Sequence, residues 1–169
     1  MPRTYEWIKG TTLGGNASGI TVSSIPGTYT DLIAVLVAKD VRPVGATTDV
    51  VLYVNGVTSG TAYNYQVGNP NTSNFASAFQ ANNTSAMLPL GGSGTSQPFF
   101  NIRFEFLNYA DPQSKTVLAY GGPAQSDFTN PRYAVGYWRD GAAITSITIN
   151  GEHGFTSGTS LNLYGILKA

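Results

Sequence analysis

The only histidine, His153, lies in Asn150-Gly151-Glu152-His153-Gly154. As a general base it would need a nucleophile within hydrogen-bond reach and a carboxylate to orient its ring. Glu152 is its chain neighbour, and neighbours on a strand face apart. An exposed loop histidine is the plainer reading, with a pH-sensitive contact between subunits as the other. The carboxylates are Glu6, Asp31, Asp40, Asp49, Glu105, Asp111, Asp127, Asp140 and Glu152. A glycosidase needs two of these about 5–10 Å apart across a cleft. Most of them stand beside turn residues instead, where Asp commonly accepts from local backbone amides. No D-x-[DN]-x-[DN]-G calcium loop occurs, which leaves for calcium only an isolated ion in a long loop. The chain has no cysteine, so thiolate nucleophiles, disulfides and zinc–thiolate sites are excluded. No catalytic, cofactor-binding or metal-ligating residue is assigned, no cofactor is called for, and an enzyme is not expected.

The remaining candidates are contact residues. Arg103 and Glu105 stand two apart on one strand face. They read either as an ion-pair network on an exposed sheet, worth little in stability, or as a polar contact between subunits. Trp7, Trp138 and the ten tyrosines could stack on sugars, although aromatics also fill cores and interfaces. Trp138, inside a strand, reads as core or interface. Tyr63 and Tyr65, in the irregular middle of the chain, read as exposed contact residues. Asn16-Ala17-Ser18, Asn71-Thr72-Ser73 and Asn83-Thr84-Ser85 match glycosylation sequons and read as polar loops, because the start MPRTYEWIKG is not a secretion signal.

These residues must be positioned by a chain of 169 residues, long enough for one domain, 1–169, with its own core. Charged residues are 11%, less than half the usual share for a soluble domain, and Ser, Thr, Asn and Gly take their place. Nine basic and nine acidic residues give zero formal net charge. A nucleic-acid partner is therefore not expected, for want of a basic excess, and copies of the chain have little charge to keep them apart. The most continuously apolar segment, Leu32–Lys39, is far short of the ~20 residues that span a bilayer as a helix, so no membrane is expected.

Alternation sets the elements. Tyr5–Leu13 and Ile20–Ser24 flank the turn Gly14-Gly15-Asn16 and read as an N-terminal hairpin. Periodicity leaves Leu32–Lys39 open to a helix, but its eight residues and its Ile, Val and Val favour a buried central strand. Val50–Val54 alternates and ends at Asn55-Gly56. From Val57 to Gln97 the pattern weakens, and long loops with one or two short strands or a helical turn are expected. In Phe99–Tyr109, Phe100, Ile102, Phe104 and Phe106 share one face, and Lys115–Gly121 returns antiparallel to it. Tyr133–Arg139, Ile144–Ile149 and Leu161–Ile166 read as a meander whose apolar side needs a second sheet. The expected fold is all-β: a single antiparallel β-sandwich, jelly-roll-like, of eight to ten strands with long middle loops.

Three segments carry a resemblance: Ser24-Ile25-Pro26-Gly27-Thr28-Tyr29-Thr30-Asp31-Leu32; Leu107-Asn108-Tyr109 ahead of Lys115-Thr116; and Trp138-Arg139 through Leu161-Asn162-Leu163-Tyr164-Gly165-Ile166. Together they resemble a loosely defined set of tailed-bacteriophage virion proteins with an "SSIPxTYTxL" segment and a closing "LYGI". The resemblance runs from about Tyr5 to Ile166. It implies a jelly-roll-like sandwich serving as a capsid decoration (cement) protein or as a fibre or tail-appendage domain, with no catalytic signature. It begins almost at Met1 and ends three residues before the C-terminus, so no separate anchor is expected. The expectation is a stand-alone decoration protein, a homotrimer bound to the major capsid protein or other virion proteins and located in the virion after assembly in the host cytoplasm. The alternative is a tail-fibre or head-fibre module that binds host surface glycans.

Overall fold

The structure is a computed structural model describing residues 5–41, 50–58, 62–70, 75–83, 86–88, 99–122 and 132–167. Asp49, Asp127, Gly91–Gln97 and Asn71-Thr72-Ser73 lie outside these residues. The elements are all strands: β1 (Tyr5–Thr12), β2 (Ala17–Ser23), β3 (Asp31–Ala38), β4 (Val50–Val54), β5 (Tyr63–Pro70), β6 (Phe75–Asn83), β7 (Ala86–Leu88), β8 (Phe100–Leu107), β9 (Lys115–Gly122), β10 (Arg132–Trp138), β11 (Ser146–Phe155) and β12 (Ser160–Ile166). They form an eight-stranded sheet, β1-β12-β3-β8-β9-β10-β5-β6, and a four-stranded sheet, β2-β11-β4-β7, with every neighbouring pair antiparallel.

The core is the space between the sheets. Period-two alternation turns Leu32, Leu36, Phe100, Ile102, Phe104, Phe106, Leu161 and Leu163 inward from the large sheet. Ile20, Val22, Val50, Leu52, Val54, Ile147 and Ile149 meet them from the small one. The all-β antiparallel sandwich read from the alternation is the observed fold. Among the described residues there are twelve strands rather than eight to ten, because the middle of the chain supplies β5, β6 and β7 where long loops with one or two short strands or a helical turn were expected.

Two local readings are corrected. The N-terminal segments are not a hairpin: β1 pairs β12 in one sheet and β2 pairs β11 in the other. The bend at Gly14-Gly15-Asn16 is a corner between sheets, fastened by Leu13 N–H to Thr159 O (2.8 Å) and Gly158 N–H to Leu13 O (2.8 Å). The last third is likewise not a meander, since β10 and β12 lie in the large sheet and β11 in the small. Between β10 and β11 the chain crosses from one sheet to the other. Ile144, fully buried, enters the core and its N–H donates to Tyr109 O at 3.0 Å. The Asn55 side chain holds the end of the crossing: its Oδ1 accepts from the N–H of Thr145 (2.8 Å) and Ser146 (3.0 Å), and its Nδ2 donates to Ala143 O (2.8 Å).

Two buried tyrosines fasten what alternation alone would leave loose. Tyr63 on β5 reaches the small sheet, its hydroxyl accepting from Val54 N–H at 2.9 Å. Tyr109, just past β8, donates its hydroxyl hydrogen to Pro26 O and accepts from Tyr29 N–H at 3.3 Å. The strap Ile25–Thr30 is thereby drawn across the sandwich end, and Thr30 N–H adds a bond to Ile166 O at 2.9 Å. The Tyr29 ring then lies on Gly165, where an added Cβ would come within 2.3 Å of its ring carbons. Burial raises the phenol pKa of both Tyr63 and Tyr109. Folding therefore favours their neutral form. That stability is fully present below the unfolded value near 10, and it is lost as pH climbs from there through the folded values.

Tyr109→Phe, which leaves the Pro26 carbonyl and the Tyr29 amide without their partner, is expected to lower unfolding stability by about 1–3 kcal/mol with an unchanged denaturant slope. It should also flatten the loss of stability above pH 10. Chemical denaturation at pH 7 and across the alkaline range measures both, and an unchanged midpoint contradicts the role given to this hydroxyl.

Candidate functional site

The sequence candidates for acid–base chemistry are dispersed. His153 and Glu152 approach to 3.7 Å (Nδ1 to Oε2), closer than strand neighbours are expected to, and both are exposed. They line an open depression of about 460 Å³ with Asn16, Ala17, Ser18 and Val41. Asp140 Oδ1 accepts from Ala142 N–H at 2.9 Å, serving local backbone as the sequence suggests, whereas Asp31, at the start of β3, accepts through Oδ1 at 2.8 Å from the distant Asn108 N–H just past β8. Among the described residues, no three His, Cys, Asp or Glu side chains gather where they could hold a metal ion.

The aromatic candidates sort by strand face. Trp138 is core, fully shielded. Its ring lies 5.8 Å from the ammonium of Lys115. Lys115 is itself buried on the inner side of β9, where its Nζ donates to the carbonyls of Asp111, Gln113 and, at 3.4 Å, Gly141. Burial lowers its pKa, against the opposing pull of Asp111 and Asp140. With its hydrogens taken by loop carbonyls, Lys115 ties the β8–β9 turn to the crossing after β10. Tyr63 and Tyr65 are not exposed contact residues, contrary to the sequence reading. They pair with Trp138 and Gly136 of β10 and so share the inner face, at 0% and 4% exposure.

The exposed aromatics are elsewhere. Among the described residues seven large hydrophobic side chains are exposed: Tyr5, Trp7, Phe99, Tyr120, Tyr133, Tyr137 and Leu167. Five of them, all but Phe99 and Leu167, stand on one surface, the outer face of the large sheet. Cross-strand register places them. Trp7 opposes Tyr164, and the row continues through Ile33, Glu105, Leu118 and Val135. A second row runs Asn162, Val35, Arg103, Tyr120, Tyr133, and in a third Thr116 opposes Tyr137. Ile33, although it points outward, is only 3% exposed beneath its neighbours.

Near the middle of this face Arg103 Nε lies 2.9 Å from Glu105 Oε1, and the Tyr120 hydroxyl donates to the same oxygen at 3.1 Å. The guanidinium sits 5.8 Å from the Tyr120 ring and is hydrogen-bonded to Tyr5. Burial and this bond to Glu105 raise the Tyr120 pKa. The charges of Arg103 and Glu105 thus neutralise one another inside an aromatic surround. Among its described groups none is arranged as a nucleophile with a base. The signal for Tyr133 and Tyr137 was present in the sequence: Ala134, Gly136 and Trp138 claim the inner side of β10, which leaves the two tyrosines outside.

No family model matches this chain, and no curated protein does. Among solved structures, peanut lectin with a nine-residue peptide (PVIWSSATG) is similar over 98% of this chain and 93% of that chain, at 9% identity and a TM-score of 0.26. A likeness of that score carries no inference about fold or function.

The two tryptophans provide a direct check of the face. Iodide should quench Trp7, 59% exposed, and leave Trp138, 1% exposed, untouched. Trp7→Phe should therefore abolish most of the quenching and shift the remaining emission to the blue. Quenching that survives in that variant contradicts the placement.

Proposed function

We propose that this chain is a structural protein of a tailed-bacteriophage virion, a decoration protein that stabilises the capsid by binding its surface as a homo-oligomer. The observation that carries the docking reading is the concentration of exposed aromatics on one neutralised sheet face. Contiguous exposed apolar surface of this extent marks an interaction site. Eight strands about 4.8 Å apart, read over about seven residues each, give a face of roughly 800 Å², the per-partner share of a standard protein interface. Many copies, each docking weakly, stabilise a shell through multivalency. The virion setting comes from the sequence resemblance. Its three segments meet at the Tyr109 hydroxyl, the Ile25–Thr30 strap and Gly165, so what they share is a scaffold, which fits a structural rather than a chemical role.

A glycan-binding fibre module is the second reading, favoured by the exposed rings of Tyr133 and Tyr137, since aromatic faces offer stacking surfaces. The two readings part on copy number and on what covers those rings.

Adding the wild-type protein back to particles that lack it should raise their resistance to heat. The Tyr133→Ser/Tyr137→Ser variant, folded by circular dichroism, should bind at least tenfold more weakly and protect less. Particles indifferent to the wild-type protein overturn the decoration reading, and binding to a host-glycan array that the same variant loses selects the second.

A further inference from the structure

Phe99 is an exposed ring that the outer face does not account for. It stands just ahead of β8, at the end of the sandwich away from the Ile25–Thr30 strap. Register brings the chain segments of that end together: Phe100 pairs with Ala38, Val37 with Ser160, and Ser160 with Thr12. A depression of about 280 Å³ opens there, lined by Phe99, Lys39, Asn16, Thr156 and Ser157. That volume lies just under the range for drug-sized ligands and suits a single sugar ring. Asn16 also lines the larger depression bordered by Glu152 and His153, so the two share a wall.

Backbone bonds hold the smaller depression in shape. Ser157 N–H donates to Asn16 Oδ1 at 3.3 Å, Thr156 N–H to Lys39 O at 2.8 Å and Gly158 N–H to Leu13 O at 2.8 Å. Gly158, at a φ of +85°, leaves room for Phe99, whose Cζ would lie 3.3 Å from an added Cβ. Donors are what these bonds leave over. With Asn16 Oδ1 occupied, Nδ2 is left to donate. The Lys39 ammonium, 5.9 Å from the Phe99 ring centroid, has no carboxylate partner among the described residues. The neighbouring Asp40 is fully buried and lines neither depression. Thr156 Oγ1 is shielded from solvent and makes no hydrogen bond among the described residues. A ligand oxygen relieves that cost after a turn about χ1. Three donors, one of them cationic, suit a carboxylate, and the Phe99 ring suits the C–H face of a sugar. Glu152, in the neighbouring depression, accepts from hydroxyls and repels a carboxylate. We infer that this end of the sandwich binds an acidic sugar. Its carboxylate meets Lys39, Asn16 and Thr156, its ring carbons rest on Phe99, and its hydroxyls extend towards Glu152.

The site does not rest on the docking reading, since none of the five outer-face aromatics lines it. Nitrogen–proton NMR of the full chain, titrated separately with D-glucuronate, D-glucose and acetate, tests it. Glucuronate should shift the backbone amides of Thr156 and Ser157 and the side-chain amide of Asn16, with a millimolar Kd at least tenfold below that of either control. Asn16→Asp keeps the oxygen that accepts from Ser157 N–H, replaces the donor by a like charge, and should weaken glucuronate at least tenfold while the remaining spectrum stays native. Lys39→Met should weaken it as much, and Tyr133→Ser/Tyr137→Ser should bind as wild type does. Absent shifts, glucose binding as tightly as glucuronate, or acetate binding as tightly each overturn the assignment. So does undiminished binding by a folded Asn16→Asp or Lys39→Met, and so does loss of binding in the double tyrosine variant, which would put the sugar on the outer face.

Discussion

The hydroxyl of Tyr109 is the joint on which this fold depends. Strand alternation explains two sheets with apolar faces, but it does not hold the Ile25–Thr30 strap against their end. One phenol does so, donating to Pro26 O and accepting from Tyr29 N–H, while fully buried in the core cluster. The same residue's carbonyl receives Ile144 N–H from the crossing that carries the chain to β11. A buried polar group that satisfies several backbone partners specifies one arrangement more sharply than apolar packing does. Gly165 completes the joint by having no side chain where the Tyr29 ring must lie.

With the scaffold fixed internally, the docking proposal rests on the outer face of the large sheet. Its composition follows from the low charge of the chain. Arg103 and Glu105 neutralise each other and Tyr120 is hydrogen-bonded to that pair, so the face offers aromatic area with its central charges already matched. Such a surface gains from burial against a matching neutral surface and gains little from steering by charge.

What was legible in the sequence was what alternation encodes. Phe100, Ile102, Phe104 and Phe106 announce a strand with one buried face, and β8–β9 pairs as its turn chemistry indicates. Leu32–Ala38 was readable as central because both of its sides are apolar, and it sits between β12 and β8. Pairing across sheets was not legible. Gly14-Gly15-Asn16 and Asp140-Gly141 look locally like hairpin turns, yet each lies where the chain changes sheet, a choice made by partners more than a hundred residues away or by the burial of Ile144. Tyr63 and Tyr65 were misplaced because Asn64 and Gln66 make their surroundings polar. Their facing is set by pairing with Trp138 and Gly136, which local composition does not encode. The contact tyrosines of β10 were readable only by first assigning Trp138 to the core.

The central claim is that the outer face is covered by protein when this chain is at work. Tyrosine-selective labelling read by mass spectrometry tests it directly, comparing protein assembled on intact particles with the same protein dispersed to monomers. Tyr133 and Tyr137 should label freely when dispersed and be protected when assembled, while Tyr63 and Tyr109 stay unlabelled in both. Equal labelling of Tyr133 and Tyr137 in the two states would contradict it.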